Sequence, residues 1–187
     1  MAKIKRQDWY SIPNLLSYLR IILVPLFVWV YYQAETINDY YCAAGIIVVS
    51  GLTDFFDGKI ARRFNMITEL GKFIDPVADK LTQCALIFCF ATRYSLMWFL
   101  VAIFMVKESF MAIAGMLMLR QHKKLDGAMW YGKVSTFVFY VVMIILLLWP
   151  MIPITYANIL IVICSVFLTY SFVMYAVLYY KMWRGTV

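Results

Sequence analysis

The chain has 187 residues, of which 65% are hydrophobic and only 14% charged, with a mean hydropathy of +0.80. A soluble domain averages about 45–50% apolar and about 25% charged residues, so in water this chain would expose large apolar patches. The figures exclude a disordered chain, a collagen-like repeat and a disulfide scaffold, and they indicate an integral membrane protein. The net charge of +7 would suit a nucleic-acid partner, but its distribution along the chain excludes one.

A membrane span needs about 20 mostly apolar residues to cross about 30 Å of hydrocarbon, and six segments qualify. Met1 to Tyr10 is short and basic, carries Trp9 and Tyr10, and reads as an interfacial segment. A Ser11-Ile12-Pro13 start supplies an N-cap and an early helical proline for the first span, Asn14 to Tyr32. The second span covers Tyr40 to Ile60 and the third Gly71 to Ala91. The fourth covers Leu96 to Leu119, and the fifth Trp130 to Trp149, stopped by Pro150 and Pro153. The sixth covers Asn158 to Tyr180. Tyrosines and tryptophans gather at the span ends, as an aromatic belt requires. No repeat or linker divides the chain, so residues 1–187 read as one all-α, six-helix membrane domain.

The basic residues alternate from one connection to the next. Lys3, Lys5 and Arg6 precede the first span; Lys59, Arg62, Arg63 and Lys72 cluster where the second span ends and the third begins. Arg120, Lys123 and Lys124 follow the fourth, and Lys181 and Arg184 the sixth. The other connections hold only Arg93, with Glu35 and Asp39 in the first of them. By the positive-inside rule, this is a multi-pass cell-membrane protein with both termini in the cytoplasm. Its basic loops also suit anionic lipid headgroups. The basic start runs into a long span with no cleavage site, unlike a signal peptide. Cys42, Cys84, Cys89 and Cys164 lie in apolar runs without a CxxC pair and read as small buried hydrophobes.

Four aspartates interrupt the second and third spans. Asp54 and Asp57 are three apart near the end of one; Asp75 and Asp79 are four apart near the start of the next. Both spacings place a pair on one helical face, and the short basic turn lets the two pairs face each other at the cytoplasmic side. Carboxylates in a membrane span are costly and mark function by default. Four close together repel unless a cation compensates. An all-oxygen donor set favours Mg²⁺ or Mn²⁺ over zinc; the one histidine, His122, lies in the loop after the fourth span. Two divalent ions on such a set can clamp a phosphoryl group during in-line displacement. The plainer alternative is a buried ion network with Arg62, Lys72 and Lys80.

From Asp54 to Asp79 the chain carries Asp54, Asp57, Gly58, Ala61, Arg62, Gly71, Asp75 and Asp79. These residues resemble, position for position, the signature of the CDP-alcohol phosphatidyltransferases. The resemblance implies six membrane helices and a homodimer. It implies that Asp54, Asp57 and Asp75 hold a divalent metal, and that Asp79 helps hold a second and is the general base on the acceptor hydroxyl. It further implies that Gly58, Ala61, Arg62 and Gly71 line the pocket for the CDP group. The alcohol then attacks the β-phosphorus of CDP-diacylglycerol, and CMP leaves.

Two more stretches, Ile12-Pro13-Asn14-Leu15-Leu16 through Arg20 and Trp130 to Thr136, resemble bacterial phosphatidylglycerophosphate synthases. Their acceptor is glycerol 3-phosphate, whose phosphate needs a nearby cation; Lys133, Lys107 and Arg120 are the candidates. Two positions depart from that subfamily: Lys107-Glu108 stands where arginine-glutamate is usual, and Lys133-Val134-Ser135-Thr136 lacks the usual second lysine. The second departure is nearer to cardiolipin synthases that use phosphatidylglycerol. Asn14 and Ser17 read as packing and capping residues. Outside enzymes, a cation-coupled transporter would also use membrane aspartates, but it predicts carboxylates near mid-span and an inverted repeat.

Overall fold

A computed structural model describes residues 10–64, 66, 68, 70–121, 127 and 129–184, excepting the side chains of Arg62 and Lys72. The interfacial segment before Tyr10 and the loop with His122, Lys123 and Lys124 lie outside the described residues. Among the described residues six helices follow in order: α1 (Ile12–Tyr32), α2 (Ile37–Arg63), α3 (Gly71–Ala91), α4 (Met97–Arg120), α5 (Trp130–Leu148) and α6 (Ile154–Arg184). Five are long and apolar enough to cross a membrane. The exception is α3: its 21 residues give about 30 Å of helix, but Asp75, Asp79 and Lys80 lower its hydropathy. Asp75 and Asp79 belong to the acidic motif, and Lys80 follows it directly.

The helix ends follow local chemistry. Ser11 has the extended backbone of an N-cap and Pro13 lies in the first turn, but the Ser11 hydroxyl does not cap the helix. Helix α2 begins three residues before the first expected position because Thr36 and Asp39 form a capping box. The Thr36 amide donates to the Asp39 carboxylate at 2.8 Å, and the Asp39 amide donates to the Thr36 hydroxyl at 3.4 Å. Helix α6 starts at Ile154, four residues earlier than hydropathy alone suggests, because the Pro153 carbonyl accepts from Tyr156 and Ala157. It also runs on to Arg184, where Arg184 stacks over Tyr180 at 4.8 Å.

Two compact units divide the chain at Cys89 and Phe90. In the first, α1 packs along α2, and α3 is tied to α1 through polar side chains. In the second, α6 packs against both α4 and α5. Its interior includes Met118, Tyr131, Tyr175, Tyr179 and Met182, with Phe104 stacked on Phe139 at 6.1 Å between ring centres. At Gly132, α5 comes so close to the Tyr175 ring that a side chain there has no room. Small residues admit such approaches between membrane helices, where packing contributes most of the association energy. Outward faces remain apolar, as lipid requires: Trp98, Phe137, Met151, Val166 and Trp183 are all exposed.

Candidate active site

The site is built within the first unit by three helices. Asn14, Ser17 and Arg20 stand three apart along α1, so they share one face. All three are buried, Arg20 to within 1% of complete burial. On α2, Asp54 is half exposed and Asp57 buried; on α3, Asp75 and Asp79 are partly buried.

Arg20 joins the two acidic pairs. Its Nη1 lies 2.7 Å from Asp54 Oδ1 and 2.6 Å from Asp79 Oδ1, and its Nη2 pairs with Asp57 Oδ2. The remaining aspartate, Asp75, accepts at Oδ1 from the Ser17 hydroxyl at 2.5 Å; Ser17 also bonds the Pro13 carbonyl. Carboxylates from two helices thus converge on one cationic head. A buried charge persists only where partners compensate for its lost hydration, and each charge here has one.

The bridging cation seen among the described residues is not one of those named for a plain ion network. Lys80 donates to Gln83 at 3.2 Å, and the side chains of Arg62 and Lys72 lie outside the described residues. Arg20, from a helix that reads as an ordinary apolar span, is the bridging residue. Ser17 likewise does more than pack. The available signal was an arginine inside an apolar run, which in a membrane helix marks function, at helical spacing from two other polar residues.

A second contact sets where α3 begins. Thr68 caps the helix by accepting from the Gly71 amide at 2.9 Å, while the Asn14 amide donates to the Thr68 hydroxyl at 3.0 Å. The start of α3, and with it Asp75 and Asp79, is therefore held to the first turns of α1. Gly71 fits because a Cβ at this position would stand 2.6 Å from Asn14 Oδ1 and 3.0 Å from Thr68 Oγ1. Gly71→Ala is expected to cost about 1–3 kcal/mol of stability through this overlap, read as a lower melting temperature in detergent. Adding Asn14→Ala should recover part of the loss in a double-mutant cycle. An unchanged melting temperature for Gly71→Ala would count against the contact.

Of the other candidates, Gly58 and Ala61 are partly buried one and two turns beyond Asp54 on α2. Lys107, Arg120 and Lys133 belong to the second unit. Lys107 is buried and pairs with Glu108 at 2.7 Å; Arg120 ends α4 and Lys133 sits in the first turn of α5, both exposed.

The donor set fits a hard divalent cation in kind: oxygen only, from Asp54, Asp57, Asp75 and Asp79, gathered from two helices. In number and approach the guanidinium intervenes. Among the described residues no three His, Cys, Asp or Glu side chains are arranged to hold an ion by themselves, since three carboxylates are spread around Arg20.

Comparison with known proteins identifies the family of the chain. The sequence profile of CDP-alcohol phosphatidyltransferases matches residues 10–180. The chain belongs to that family. It is therefore an enzyme, a phosphatidyltransferase that belongs to phospholipid biosynthesis. Among its relatives is the Escherichia coli K12 CDP-diacylglycerol–glycerol-3-phosphate 3-phosphatidyltransferase, 36% identical over 153 residues that cover 80% of this chain and 84% of the relative. The enzyme of that name from Shigella sonnei matches equally. The one from Shigella flexneri serotype 5b is 36% identical over 130 residues, covering 68% of this chain and 71% of its own. The family match spans both helical units, so the acidic motif and the α4–α6 unit belong to one matched region.

Proposed function

We propose that this phosphatidyltransferase moves the phosphatidyl group of CDP-diacylglycerol to a hydroxyl of glycerol 3-phosphate, forming phosphatidylglycerophosphate and releasing CMP. The observation that carries the reading is the convergence of Asp54, Asp57 and Asp79 on one cationic point, within a chain 36% identical to enzymes of that name. The whole chain works as one membrane domain, as a homodimer, with the acidic cluster and both termini in the cytoplasm.

Asp54, Asp57 and Asp75 are the residues that would hold a divalent cation, Mg²⁺ or Mn²⁺, with Asp79 shared by a second ion. Bound there, the ions would neutralise charge that develops on the pyrophosphate. Asp79 takes the proton of the acceptor hydroxyl. The acceptor oxygen forms a bond to the β-phosphorus as the bond from that phosphorus to the CMP oxygen breaks, and CMP keeps the electron pair. Gly58, Ala61, Arg62 and Gly71 line the nucleotide pocket. Ser17 and the Asn14–Thr68 contact keep Asp75 and Asp79 at a fixed height against α1. Holding the lipid donor and a water-soluble acceptor at one centre removes much of the entropic barrier.

Lys133 is the first choice for the acceptor phosphate, with Lys107 and Arg120 behind it. Its head is exposed at the start of α5, whereas Lys107 is engaged by Glu108. Lys133→Ala should raise the KM for glycerol 3-phosphate by roughly ten- to a hundredfold, the loss of one charge-assisted contact, and change that for CDP-diacylglycerol less. The deciding assay offers purified protein CDP-diacylglycerol with either glycerol 3-phosphate or phosphatidylglycerol and identifies the product by mass. Phosphatidylglycerophosphate supports the proposal; cardiolipin alone would replace the acceptor assignment. No CMP release with either acceptor would assign the phosphatidyltransferase a different alcohol.

A further inference from the structure

Three carboxylates share the head of one arginine, and the sharing is uneven. Nη1 of Arg20 serves both Asp54 and Asp79, and Nη2 serves Asp57. Nε is buried without a hydrogen-bond partner. A guanidinium fixed as a permanent structural ion pair commonly offers two parallel N–H groups to one carboxylate as a fork. Here the contacts are made end-on by the two terminal nitrogens, and the Nε donor goes unused. Among the described residues, Arg20 is the cation that three of the four carboxylates share. The guanidinium engages one oxygen on each of three residues that a divalent cation would also need.

We infer that Arg20 is the exchangeable cation of the acidic cradle. Without divalent metal, its guanidinium gathers Asp54, Asp57 and Asp79 and holds α1, α2 and α3 together. When a divalent ion binds, Arg20 yields carboxylate oxygens to it, so the two cations compete. This rests on the reading of the aspartates as metal ligands. It makes Arg20 a positioning residue whose loss has opposite effects on two measurable quantities. The metal-free fold is weakened, because the carboxylates lose their cation. Metal binding is tightened, because the competitor is gone. A purely structural ion pair predicts only the general Coulombic gain of removing one positive charge, and so no gain in Arg20→Lys, which keeps that charge.

The test uses the full chain in detergent without lipid substrate. Mn²⁺ binding is followed by electron paramagnetic resonance of the free ion, and thermal unfolding is recorded with EDTA and with saturating Mn²⁺. Arg20→Met is expected to bind Mn²⁺ about tenfold or more tightly than the parent, the scale of one charge-assisted contact removed. It should melt below the parent in EDTA, with the gap narrowing or reversing in Mn²⁺. Should Arg20→Met not fold, Arg20→Lys decides: one ammonium cannot bridge three carboxylates in the same way, so its Mn²⁺ affinity should also exceed the parent's. Equal or weaker Mn²⁺ binding by the folded variant overturns the exchange while leaving the metal reading intact. No Mn²⁺ binding by parent or variant removes the metal reading and the exchange together.

Discussion

Asp79→Asn is expected to lower turnover by roughly 10²–10⁴-fold, the usual contribution of a positioned general base, while CDP-diacylglycerol still binds. Asparagine keeps the shape of the side chain but cannot take the acceptor's proton. Arg20 would retain Asp54 and Asp57 as partners, so the arrangement on α2 should survive. Asp54→Ala and Asp75→Ala should behave differently, losing metal and nucleotide affinity along with turnover. Asp75→Ala also removes the acceptor of the Ser17 hydroxyl. The measurement is kcat and KM for CMP release beside direct binding of CDP-diacylglycerol to each variant. Near-normal kcat in Asp79→Asn would remove Asp79 from the base role.

Chelation should bring CMP release to background, with Mg²⁺ or Mn²⁺ restoring it and zinc alone failing to do so. The reason lies in the donor set, which holds only carboxylate oxygens; zinc sites draw on nitrogen and sulfur. The chain's single histidine, His122, lies beyond α4 in the sequence. Metal content is checked by elemental analysis before and after chelation, and activity is read from CMP. Full activity in protein verified as metal-free would end the metal-dependent mechanism.

Much of this architecture is legible in the sequence because each span is a long apolar run with distinctive ends. Helix α3 runs over the expected Gly71–Ala91, since the glycine and the charged turn before it mark its start sharply. The aspartate spacings also indicate which residues share a face, and Asp54, Asp57 and Asp79 do reach one point. Helix starts hidden in polar residues were less legible: a capping box extends α2 back to Ile37. The largest gap was Arg20. Two of its three partners, Asp57 and Asp79, lie 37 and 59 residues away, and spacing rules describe neighbours on one helix, not contacts between helices. A single arginine barely alters the hydropathy of a 21-residue apolar segment, so a composition average hides the residue on which the carboxylates converge.

The buried position of Arg20 also constrains how the protein enters the bilayer during synthesis. Taken alone, α1 would carry an unpaired guanidinium into hydrocarbon, at roughly 2.5–3.5 kcal/mol on insertion scales. Its leucines, isoleucines and valines offset that cost enough for entry, but the charge stays unsatisfied until an acid arrives. The first of its ion-pair partners to emerge are Asp54 and Asp57, carried by α2, which packs along α1 and follows it after only residues 33–36. The two helices are thus suited to enter as a hairpin, with Arg20 meeting its first carboxylates before the chain has emerged as far as Asp79. The residue that organises the finished site would also commit the first two helices to each other at the beginning of assembly.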